Sequence, residues 1–127
     1  MRNSILIRSA VLLVTIITIN LSSPLFCQEI RAIAKLDSTK ILLGDQINLW
    51  LELEQPTGMA INFPVTGDSI AGKLEVISAS KPDTISKKGS SVKIRQRVVV
   101  TSFESGLYAI PAFTFRYNGG KDSVQTQ

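Results

Sequence analysis

From residue 28 onward, apolar and polar side chains follow a period of two rather than 3.6. No window carries apolar residues at i, i+3, i+4 and i+7 behind a capping residue, so no helix is expected. Ile30, Ala32, Ala34 and Leu36 alternate with Arg31, Ile33 and Lys35 and predict a first strand. Ile41 to Asp45 predicts a short strand that ends in a Gly-Asp turn. The cleanest alternation is Ile47, Leu49, Leu51 and Leu53, with Asn48, Trp50, Glu52 and Glu54 on the opposite face. Gln55-Pro56-Thr57-Gly58 closes that strand.

Met59, Ile61 and Phe63 predict another short strand, stopped by Pro64, and Val65 to Gly72 predicts a loop. Leu74, Val76 and Ser78 predict the inward face of the next strand. Pro82-Asp83 and Lys87-Lys88-Gly89-Ser90 predict turns, with weak pairing between them over Thr84 to Ser86. Ser91 to Phe103 predicts a long strand. Within it Gln96 falls on the apolar face of Val92, Ile94, Val98 and Val100, so it either bonds across strands or is turned outward by a bulge. Tyr108 and Ile110 share one parity while Phe113, Phe115 and Tyr117 share the other. Pro111 lies between the two sets and cannot donate to a ladder, which predicts a break there. Asn118-Gly119 predicts a hairpin, because both residues tolerate positive φ, and Ser123 to Gln127 begins the last strand.

Short strands at roughly ten-residue spacing, separated by turn signals, predict an all-β, immunoglobulin-like antiparallel β-sandwich of about seven strands, the last truncated. The run Glu104-Ser105-Gly106-Leu107-Tyr108 has the spacing of a tyrosine corner, in which the Tyr hydroxyl bonds back to upstream backbone. Tyr108, Gly106 and Pro111 are thereby singled out as structural residues.

Met1 to Cys27 changes the picture of where this domain acts. Arg2 and Arg8 precede the apolar run Ala10 to Leu21, which Ser22-Ser23-Pro24 breaks. This is the layout of a signal peptide, and it predicts export of a domain spanning 28–127 to the periplasm or cell envelope. An uncleaved anchor is a weaker reading, since Thr15, Thr18 and Asn20 dilute the run. Lipidation of Cys27 is weaker still, because Pro24-Leu25-Phe26 lacks the small residue expected before such a cysteine.

Composition then narrows the chemistry. The 127 residues carry a formal charge of +4. Setting aside Arg2 and Arg8 leaves twelve basic residues against ten acidic, which argues for no nucleic-acid partner. Histidine is absent, which removes the commonest general base and the commonest zinc ligand, and Cys27 is the single cysteine, so a disulfide, a thiolate nucleophile and a Cys-based metal site are excluded from the domain. Asp37, Asp45, Asp68, Asp83 and Asp122 are too scattered for a calcium loop. Glu52 and Glu54 have the separation of a glycosidase carboxylate pair, but on a regular strand they read as a solvated face. Lys93, Arg95 and Arg97 form a cationic row that reads as solvated and paired with acids such as Glu52 or Glu75. No catalytic, cofactor-binding or metal-binding residue is assigned and no cofactor is expected. Trp50, aimed away from the Ile47–Leu53 face, is the candidate anchor for a partner; the plainer alternative is that a neighbouring loop or the first strand covers it.

The stretches Ile41 to Ile47, Leu49 to Glu54, Gly72 to Val76 and Thr101 to Pro111 resemble the N-terminal part of BatD-like proteins, the oxygen-tolerance or aerotolerance family of bacterial envelopes. The resemblance implies a non-enzymatic periplasmic protein of several Ig-like domains with a C-terminal membrane anchor. It also implies work beside other envelope proteins, the membrane-bound von Willebrand A-type proteins. This sequence has one domain and no C-terminal span, which reads as a fragment whose membrane contact is the signal segment or a missing anchor. An adhesin or glycan-binding sandwich, favoured by exposed aromatics such as Trp50 and Tyr117, is the alternative. An accessory domain of an enzyme whose catalytic part lies elsewhere is the third reading.

Overall fold

The computed structural model describes residues 29–127; the expected signal peptide, Met1 to Cys27, lies outside the described residues. Nine strands follow one another: β1 (Arg31–Leu36), β2 (Gln46–Pro56), β3 (Ile61–Asn62), β4 (Ser69–Ile70), β5 (Leu74–Ala79), β6 (Asp83–Lys88), β7 (Ser91–Thr101), β8 (Thr114–Tyr117) and β9 (Asp122–Gln125). One sheet has the order β1-β2-β7-β5-β4, with β6 also paired to β7; the other is β3-β8-β9. All pairings are antiparallel. The protein is therefore all-β and sandwich-like, as the alternation predicts, with nine strands rather than seven.

The two longest strands make the spine. β2 and β7 pair residue for residue from Gln46↔Thr101 to Pro56↔Ser91, with no register shift. Period-two geometry sends Leu49, Leu51 and Leu53 of β2 and Val98 and Val100 of β7 to one face, where all five are fully buried. The smaller sheet closes over that face. Phe113 and Phe115 are buried against it, and Phe63 meets Phe115 edge to face at 4.9 Å between ring centroids. Pairing of β8 with β9 covers all of Thr114–Tyr117, so the last strand leaves none of β8 unpaired on that side. Thr126 continues the ladder with its N–H to the Phe113 carbonyl and its Oγ1 accepting from the Phe113 N–H, and the Gln127 N–H reaches the Ala32 carbonyl of β1. The two sheets thus meet along one border and curl.

Gln96 is resolved in favour of a cross-strand bond. The far edge of β7 is shared: β5 pairs with Val98–Thr101 and β6 with Ser91–Arg95. The gap between them holds Ser80-Lys81-Pro82, and Pro82 has no N–H to extend either strand. Gln96 remains inward and buried opposite this gap, and its Nε2 donates to the Ser80 carbonyl at 2.9 Å. Ser80 also binds Arg97 twice, its N–H donating to the carbonyl and its Oγ accepting from the amide.

Several local expectations are corrected. Ile41 to Asp45 is a turn, not a strand; the Asp45 N–H donates to the Leu42 carbonyl while the Asp45 carboxylate accepts the Leu42 N–H. Such mutual bonding favours the turn over an extended chain. The 65–72 segment contains β4, whose Ile70 is buried. Ser78 faces outward, because a bulge at Ile77 flips the parity of β5 after Val76. Lys87 and Lys88 belong to β6, and the turn is the two-residue loop Gly89-Ser90, with Gly89 at φ +56°. The break expected at Pro111 extends from Ser102 to Phe113, so Tyr108 and Ile110 lie on an irregular segment rather than a strand. The Asn118-Gly119 turn does take positive φ at both residues, within a four-residue loop 118–121.

Because Phe115 is fully buried beneath the long ladder, Phe115→Ala should lower unfolding free energy by about 3–5 kcal/mol. Urea denaturation followed by far-ultraviolet circular dichroism checks this; a loss below about 1 kcal/mol would show that the smaller sheet does not seal the core.

Candidate functional site

Two surfaces carry side chains that structure alone does not use. The first is the outer face of the large sheet. Trp50 is half-buried there, with Lys35 of β1 and Arg97 of β7 as its direct cross-strand neighbours. The Arg95 guanidinium lies 5.2 Å from the indole centroid, a cation–π contact. Arg95 is held in place by Glu52, its cross-strand partner: Nε and Nη2 both donate to Glu52 Oε1, at 2.9 and 2.6 Å. Lys93 approaches the other carboxylate oxygen at 3.9 Å.

This corrects one reading and refines another. Glu52 is not a solvated carboxylate; its side chain is only 18% exposed under its ion pair. Pairing of the cationic row with Glu52 is as expected, whereas Glu75 faces Thr101 and Ser69 in the ladder. Trp50 is half-buried, and the guanidinium of Arg95 lies over its ring. Lys35 and Arg97 form no ion pair among the described residues, which leaves two exposed cations beside the indole. Glu54 points outward and accepts only a hydrogen bond from Ser91 Oγ at 3.3 Å, so the two glutamates do not converge on a substrate site.

The second surface lies at one end of the sandwich, and no periodicity signal points to it. The β1–β2 loop and the β7–β8 segment frame a cleft of about 740 Å³. Leu36, Ile41, Ile47, Leu74, Tyr108 and Ile110 are among its walls. Leu42 and Leu43 stand exposed on one lip and Leu107 on the other, with exposed Phe103 close to Gly44. The tyrosine corner forms the second lip. Tyr108 Oη donates to the Glu104 carbonyl at 2.8 Å, and its ring lies over Gly106, where a Cβ would sit 3.5 Å from the hydroxyl. The upstream bond is the one expected, but it closes a loop on itself rather than joining two strands. Pro111 is exposed in the same segment.

The scattered aspartates serve turns. Asp37 accepts the Asn48 amide and side-chain N–H at 3.0 and 2.7 Å, and Asp122 accepts from Asn118 Nδ2. Among the described residues no group of three or more His, Cys, Asp or Glu could hold a metal, and no helix is long and apolar enough to cross a membrane. No family model, curated protein or solved structure matches this chain.

Since the Tyr108 hydroxyl bonds within its own loop at a half-exposed site, Tyr108→Phe should cost about 0.5–1.5 kcal/mol, well below Phe115→Ala. Urea midpoints of the two variants measured side by side check the ranking.

Proposed function

We propose that this chain is a non-enzymatic, exported Ig-like module that binds another envelope protein through the outer face of its large sheet. The observation that carries the reading is the row Lys35–Trp50–Arg97, an indole between two exposed cations that form no ion pair among the described residues. Trp and Arg are the side chains most often found at the energetic centre of protein interfaces. Their cations call for an acidic patch on the partner and make association dependent on salt. By register this face presents Arg31, Lys35, Lys88, Lys93, Arg95 and Arg97 against Glu52, Glu54, Glu75 and Asp83. The resemblance of the segments around Gly44-Asp45 and Thr101 to Pro111 to BatD-like proteins supports a membrane-bound von Willebrand A-type protein as that partner, and a role in oxygen tolerance. Trp50 on β2 and Tyr117 on β8 occupy different sheets, which argues against a shared aromatic platform for sugars.

The test is binding of the purified chain to the von Willebrand A-type proteins of the same cell, read by surface-immobilised titration. Trp50→Ala should weaken binding by about thirty-fold, the size of an interface hot spot. Arg97→Glu should weaken it and flatten its salt dependence, with the urea midpoint of each variant near that of the parent. Binding unchanged by both substitutions, or no binding to any such protein, would remove the reading.

A further inference from the structure

The cleft at the end of the sandwich is independent of the Trp50 face and has its own chemistry. At about 740 Å³ it lies within the range of small-molecule sites, roughly 300–1,000 Å³. Three of the five hydroxyls in its lining are engaged within its own loops. Ser38 Oγ donates to the Lys40 carbonyl, while Ser102 Oγ and Tyr108 Oη both donate to the Glu104 carbonyl. What remains for a ligand is mainly hydrocarbon from Leu36, Ile41, Ile47, Leu74 and Ile110. Two charged side chains line the cleft, Lys40 and Glu104. Glu104 is neutralised by an ion pair with Lys73, whereas Lys40 has no carboxylate partner among the described residues. An apolar trough with one uncompensated cation complements a molecule with a hydrocarbon tail and a single negative head.

We propose that this cleft binds a single-chain anionic amphiphile, a fatty carboxylate, with its tail between the two loops and its head group at Lys40. Leu42, Leu43 and Leu107, exposed on the lips, extend the apolar contact beyond the walls. Exposed apolar side chains gathered at one mouth mark a ligand or partner site, whereas singly scattered ones are ordinary on a protein surface.

The experiment uses the full chain and titrates it calorimetrically with dodecanoate and with dodecyltrimethylammonium, each below its micelle concentration. Dodecanoate should bind with one-to-one stoichiometry and at least tenfold more tightly than the cationic amphiphile. Lys40→Glu should invert that preference. Leu107→Asn, a change at a fully exposed side chain, should weaken both by tenfold or more, while Lys81→Glu, at the gap between β5 and β6, should change neither. Trp50→Ala should also have no effect, so loss of the protein-binding reading would leave this one standing. Absence of saturable binding, or a dodecanoate preference that survives Lys40→Glu, would overturn the proposal. Flotation with phosphatidylglycerol vesicles without saturable dodecanoate binding would overturn it as well, and would assign the loops to a bilayer surface.

Discussion

The β2–β7 ladder is the constraint on which the remaining structure depends. Eleven consecutive residues of each strand pair without a slip, and the alternation of both strands is in phase. A one-residue shift would carry Leu49, Leu51 and Leu53 to the face now held by Trp50 and Glu52, and would expose three side chains whose burial contributes about 1.5–3 kcal/mol each. Register is therefore specified by hydrophobic burial. The ion pair of Glu52 with Arg95 and the stacking of Arg95 on Trp50 follow from that register rather than causing it.

The same ladder explains how the sheet is divided and guarded. β7 is too long to be matched by one neighbour on its far side, and Pro82 splits that neighbour into β5 and β6. Gln96 and Ser80 satisfy the backbone where the split falls. Each of these strands carries a bulge at an exposed isoleucine, Ile77 and Ile85, and Lys81, Lys87 and Lys88 lie along the same border. Bulges, lysines and a proline are devices that discourage pairing of an edge with another chain. The molecule thus keeps its edge strands guarded and offers two other surfaces, a charged sheet face with one indole and an apolar cleft between loops.

Much of this architecture is legible in the sequence because strand alternation is local. Leu49–Leu53 and Val98–Val100 announce their inward face by period alone, and Gln96 announces its need for a partner by falling within such a set. Asn118-Gly119 announces a turn by its tolerance of positive φ. Ser78 and Ile41 to Asp45 mislead for physical reasons. A bulge resets parity without leaving a mark in composition, and an apolar run can be captured by a turn when an aspartate three residues on bonds back to it.

What the sequence by itself determined is the all-β class, the inward face of the two spine strands, and the outward placement of Trp50 beside the cationic row. Only the tertiary structure decided that Arg95 lies over that indole, since the contact depends on which residues of β2 and β7 come opposite each other. Only the tertiary structure brought Leu42 and Leu43 to the same mouth as Leu107 and Tyr108. Those residues lie in irregular segments far apart along the chain, where no period exists to read, and they meet because β2 and β7 place their flanking loops at the same end of the sandwich.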